Sequence, residues 1–158
     1  MVVSEPNASK RALAERLGAD GTVDPRAGDA QAAVIAALGG RADLAIEAVG
    51  RGETARLAID LVGPGGRALL FGVCAEEVEV PIQPRRIFRD EITIAGAYTG
   101  PFMDERAVAL LAGGRIDVRP LGVSGAIIAD EFPLAEAPAA MARARAADSL
   151  KVLIRPSA

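Results

Sequence analysis

The stretch Ala42–Val73, ADLAIEAVGRGETARLAIDLVGPGGRALLFGV, limits the fold more than any other part of the chain. Leu44–Ala48 is a short, largely apolar run with one charge, Glu47, near its end. Thr54–Val62 carries Ala55, Leu57, Ala58, Leu61 and Val62 at helical spacing. Gly63-Pro64-Gly65-Gly66 cannot continue that helix and can take positive φ, so it predicts a stop. Arg67–Val73 is then an apolar run of the kind buried on both faces of a parallel sheet. Strand, helix and strand in this order make a βαβ unit with a right-handed crossover. Glu47, Gly50 and Arg51 follow the first strand, and Gly72 ends the second. Ligands of an open parallel sheet bind at those carboxyl ends.

The flanking segments extend the same alternation. Val2-Val3-Ser4 reads as a strand ended by Glu5-Pro6, and Asn7 or Ser9 can cap a helix with Ala12, Leu13 and Leu17 inward, closed by Gly18. Gly21-Thr22-Val23 predicts a short strand, and Ala30–Leu38 a helix stopped by Gly39-Gly40. Beyond the central stretch, Val78–Ile82 reads as a short extended segment. Pro84–Asp90 reads as a helical turn or two with Ile87 and Phe88 inward, and Ile92–Ala97 as a strong strand. Asp104–Ala112 is a predicted helix capped by Asp104, with Ala107, Val108 and Leu111 as its buried stripe. Ile116–Leu121 is extended, Ala126–Ala129 a strand, Pro133–Ala147 a helix with Pro138 tolerable only in its first turn, and Leu150–Arg155 a closing strand.

Composition excludes several functions. With 51% hydrophobic residues and 3% aromatics, the chain suits an Ala/Val/Leu/Ile-packed α/β domain. A formal net charge of −3 with scattered Lys and Arg gives no basic stripe for nucleic acid. No apolar run is long enough to span a bilayer. The opening MVVSEPNASKR lacks the layout of a signal peptide, and a single cysteine, Cys74, cannot form an internal disulfide, so a cytoplasmic protein is expected. Cys74 is either a reactive thiol or, after a buried strand, a small packing residue. There is no histidine, which excludes His-based acid–base catalysis and a Cys/His zinc site supplied by this chain alone.

IEAVG, LVGPGGR, LLFGV and ITIAGAYTG follow one another in the order and spacing of the medium-chain alcohol and polyol dehydrogenases. Over nearly all of its length the chain resembles the C-terminal half of such a zinc-type enzyme, from the second strand of the nucleotide-binding domain onward. The resemblance implies an incomplete doubly wound parallel sheet, Rossmann-like, without its first strand, first helix and Gly-rich loop. Residues 1–100 would form the partial dinucleotide-binding domain and 101–158 a helix–strand segment returning to the catalytic domain. It implies NAD as cofactor, weakly held by this chain alone, and no zinc bound by it. Glu5 would accept hydrogen bonds from the adenosine ribose hydroxyls and repel a 2′-phosphate, with Lys10 reaching the same ribose; Glu5 could instead simply favour a helix N-terminus. Glu47, Ala48, Val49, Gly50 and Arg51 would border the adenosine side. Phe71, Gly72, Val73, Ala97, Tyr98 and Thr99 would present backbone groups to the nicotinamide. Lys151 matches a basic position near the pyrophosphate, or is a solvated strand-end lysine.

No G-x-G-x-x-G occurs, and Gly63–Gly66 cannot replace it because it follows a helix and precedes a strand. In strand order 3-2-1-4-5-6 the absent first strand is central, so the strands at Val2–Ser4 and Leu44–Ala48 each lose a neighbour. Each buried backbone group left unpaired costs roughly 1–3 kcal/mol. The two edges must close on each other, be filled by another chain, or leave a chain that folds poorly alone. Three functions follow: the cofactor-binding part of an NAD-dependent alcohol or polyol dehydrogenase; a catalytically inactive module that dimerises or complements a separate N-terminal half; or a zinc-free NADPH quinone reductase, against which Glu5 argues. A homodimer through the apolar edge Ile92–Ala97 is expected, with an alcohol substrate only in a complete enzyme.

Overall fold

The computed structural model describes residues 1–98, 100, 103–115, 128–146 and 148–156. The chain divides into two compact units, Met1–Pro6 with Ala19–Thr99 and Asn7–Gly18 with Gly100–Ala158.

In the first unit, β1 (Val2–Ser4) pairs parallel with β2 (Gly21–Val23). Then come α2 (Ala30–Leu38), β3 (Ala42–Glu47), α3 (Gly52–Leu61), β4 (Val62–Leu70), α4 (Pro84–Arg89) and β5 (Thr93–Gly96). The helix preceding these, α1 (Ala8–Arg16), belongs to the second unit. β3, β4 and β5 form a separate parallel sheet in that order. Alternating strands and helices with parallel pairing are what the apolar periodicities require.

Two apolar clusters hold the unit together. Ile59, Val62, Ala68 and Ile92 are buried, with Ala45, Val80, Ile87 and Ile94 packed on them. Val23, Val34 and Leu61 form the other, with Val2, Ile35, Ala45 and Leu57 around them. The second cluster joins the two sheets through α2 and α3, although no ladder connects them. β1 and β3 are not hydrogen-bonded to each other among the described residues, so the two edges do not close on one another. On β3 the alternation is plain: Ala45 and Glu47 face inward, while Leu44 and Ile46 are 54% and 58% exposed.

Several expectations are corrected. The strand expected at Arg67–Val73 runs from Val62 to Leu70. Val62 pairs with Ala42 across an irregularity, and Gly65 N–H donates to Asp90 O at 2.7 Å, so the Gly-Pro-Gly-Gly run is absorbed into the ladder as a bulge. Phe71, Gly72 and Val73 lie beyond the strand. Residues 78–82 join no strand. Phe88 is 85% exposed, because one short helix turns only Ile87 toward the core.

The second unit contains α1, with Asn7 Oδ1 accepting from Ser9 N at 2.9 Å and Lys10 N at 3.3 Å. It also contains α5 (Met103–Ala112) and the parallel pair β6 (Ile128–Pro133) and β7 (Lys151–Arg155), joined by a 3₁₀ turn (Leu134–Glu136) and α6 (Ala137–Ala144). α5 starts one residue before Asp104, and Ala107, Val108 and Leu111 are exposed rather than buried. Proline at the start of α6 explains why the helix begins after the 3₁₀ turn rather than at Pro133. Arg143 ties β6 to the segment after α6, its Nε bonding Asp130 at 2.7 Å and its Nη1 Asp148 at 2.8 Å. The segment expected at Ile116–Leu121 lies outside the described residues. No described helix is long and apolar enough to cross a membrane.

Candidate functional site

The register of the three-stranded sheet sets Glu47 beside Leu70, and Leu70 beside Gly96. Three strand ends are therefore level, and the chain leaves the sheet from one edge at 48–51, 71–73 and 97–98. The main chain binds these exits together: Phe71 N and Gly72 N donate to Glu47 O at 2.8 and 2.9 Å, and Ala97 N donates to Leu70 O at 3.0 Å. Large apolar side chains stand open at this edge, with Val49 64%, Phe71 59%, Val73 82% and Tyr98 90% exposed.

Glu47 organises the exit of β3. It is 4% exposed, and its Oε1 accepts from Val49 N and Gly50 N at 2.8 Å each and from Thr54 Oγ at 2.7 Å. Burial raises its pKa, but the Thr54 hydroxyl and the N–H groups of Gly50 and Val49 outweigh that and hold the carboxyl below the usual range. The carboxylate thus occupies the start of α3, and an incoming phosphate there would meet a like charge. Two close approaches require glycine. Gly50 has φ +81°, and a Cβ on it would fall within 2.8 Å of Val73 N, C and O. A Cβ on Gly72 would fall within 2.7 Å of Gly50 N, Val49 N and Glu47 Oε2.

Of the sequence-predicted residues, Ala48, Val49, Gly50, Arg51, Phe71, Gly72, Val73, Ala97 and Tyr98 converge on this edge. Arg51 is exposed, 3.2 Å from Glu53. Glu5 ends β1, its N–H donating to Val23 O at 3.0 Å. Lys10 on α1 and Lys151 at the start of β7 belong to the second unit. Thr99 lies outside the described residues. Thr54 was not among the predicted residues; a hydroxyl seven residues after a strand-end glutamate was its only signal. Among the described residues there is no group of three His, Cys, Asp or Glu side chains that could hold a metal ion.

A family model described as zinc-binding dehydrogenase matches residues 1–112. Geraniol dehydrogenase of Castellaniella defragrans is 38% identical over 95 residues, covering 60% of this chain and 26% of that protein. Mouse (Mus musculus) sorbitol dehydrogenase is 28% identical over 158 residues, 98% of this chain and 42% of that protein. A zinc-binding dehydrogenase of Sinorhizobium meliloti, solved bound to NADP, superposes with a TM-score of 0.87 at 34% identity, over 98% of this chain and 44% of that one. The benzyl alcohol dehydrogenase of Acinetobacter calcoaceticus, at 20% identity, 97% of this chain, 41% of that one and a TM-score of 0.81, shares the fold. The chain spans less than half the length of these proteins.

Proposed function

Because the chain belongs to the zinc-binding dehydrogenase family, we propose that its NAD(P)-binding fold takes NAD(H) as the cofactor-binding part of an alcohol or polyol dehydrogenase. The observation that carries this reading is the open apolar edge: four large side chains exposed where three parallel strands end. Planar rings laid there would cover surface that otherwise faces water. Residues 48–51 border the adenosine, and residues 71–73 and 97–98 face the nicotinamide. Glu5, which follows β1, accepts from the ribose hydroxyls and disfavours a 2′-phosphate. When bound, the nicotinamide supplies the hydride transfer, and this chain's part is to hold and orient it. Metal ligands and proton relay come from outside these residues, consistent with a chain that has no histidine. The lone Cys74 fits the reducing cytoplasm.

The NADP bound to the Sinorhizobium relative favours a second reading, in which this chain prefers NADP(H). Titrating the 158-residue chain with NADH and NADPH, followed by cofactor fluorescence and thermal shift, separates the two. Tighter NADH binding that is lost in Glu5→Gln supports the first; tighter NADPH binding overturns it. Saturation by neither leaves an inactive module that complements another chain. β5 ends its sheet with one strand partner, and a second copy pairing there makes the homodimer. Light scattering should give twice the chain mass, reduced to one by Gly96→Pro, since the N–H of Ala97 faces β4 and that of Gly96 therefore faces the free edge.

A further inference from the structure

Resting on the cofactor reading above, we propose that Glu47 is a positioning residue that fixes both cofactor-facing loops without touching the cofactor. Its side chain takes the N–H groups of Val49 and Gly50 and the Thr54 hydroxyl, so it sets the loop 48–51 and the start of α3. Its main-chain oxygen takes the N–H groups of Phe71 and Gly72, so the same residue sets the loop 71–73. The glycine-only packing of Gly50 on Val73, and of Gly72 on Gly50 and Glu47, locks one loop against the other. Oε2 is buried without a hydrogen-bond partner, against Gly72. A buried carboxylate with one oxygen saturated and the other bare is a costly way to hold a turn. It is intelligible where the turn's shape must not vary.

Glu47→Gln keeps the volume but removes the charge, places an N–H₂ donor in that pocket, and weakens the acceptor shared by three donors. The expected result is NADH binding weaker by about tenfold, at a temperature well below unfolding. The amides of Val49 and Gly50 should exchange faster while those of β4 keep their wild-type rates. Thr54→Val, which removes one of the three bonds, should shift both readouts the same way by less. A purely structural role would change β4 exchange and melting together and leave NADH affinity of the folded chain intact; that outcome overturns the proposal, as does unchanged loop exchange. If Glu47→Gln does not fold, Thr54→Val decides by the same two readouts. If the wild-type chain binds no NADH, the cofactor reading fails on its own. Loop exchange in the variant then decides the positioning role: local acceleration upholds it and unchanged rates overturn it.

Discussion

A methyl group at residue 72 has nowhere to go. Its neighbours would be two backbone nitrogens and a buried carboxylate oxygen, none of which is the free end of a flexible side chain. Gly72→Ala should therefore cost about 1–3 kcal/mol in denaturant unfolding, the range for overpacking a rigid site. Ala95→Gly, in a strand that is only half-buried there, should cost about 1 kcal/mol at most. Glu47 also makes a pH prediction whose sign is fixed. Its folded pKa is lowered, since the Thr54 hydroxyl and loop N–H groups outweigh burial. It therefore adds stability above the unfolded-state value of about 4.3, lost as the pH falls through the lower folded value. Thermal melts from pH 7 to 3 should show a steeper acid limb for wild type than for Glu47→Gln; parallel limbs would show that the fold does not lower the pKa of Glu47. At this scale the sequence was readable for residues whose partners are local, such as Asn7 as a cap. The interlock of Gly50 with Val73 was not, because only the parallel register brings residues that far apart in the chain together.

At the scale of elements, α3 shows how a helix end is finished by distant side chains. Arg86 on α4 donates from Nη1 to Ile59 O at 3.0 Å and from Nη2 to Val62 O at 2.7 Å, with Asp60 at 3.5 Å and Asp90 at 3.8 Å beside it. Arg41 and Gln31 both donate to Asp60 O. Carbonyls that no further helical turn can satisfy are thereby paired. Removing the fork in Arg86→Ala leaves two of them bare and should lower stability by about 2–4 kcal/mol, from hydrogen bonds to a charged group. Arg86→Lys offers a point charge in place of a fork and should recover less than half of that loss. Equal stability of all three chains in urea would remove Arg86 from this role. The apolar periodicities placed α2, α3 and β3 within about two residues, because burial drives both pattern and element. They misplaced the start of β4, where glycines and a proline that look like a stop are held in a ladder by Asp90 and Ala42. They also put Phe88 inside, since a two-turn helix offers one inward face and Ile87 takes it.

At the scale of the whole molecule, the described residues leave an edge of β3 open. A parallel strand is ordinarily paired on both sides and covered on both faces, yet among the described residues β3 has β4 as its one strand partner and carries Leu44 and Ile46 exposed on one face. Among the described residues β1 likewise has β2 alone. The pattern LAIEA thus reads as a central strand in a place where the described structure gives it an edge. The absent Gly-rich turn pointed to this in the sequence, but whether the two edges would meet depended on geometry. They do not pair in the described structure, where α2 and α3 join the two sheets through the Val34 and Leu61 cluster. Hydrogen exchange on the isolated chain should then rank the ladders. Amides of β4, flanked on both sides, should exchange slowest, and those of β3 that alternate away from β4 should exchange close to the unprotected rate. Slow exchange at every β3 amide would mean that a further strand is seated there. If that protection rises with protein concentration, the strand comes from a second copy; if it does not, it comes from within the chain, and β3 is not an edge in solution.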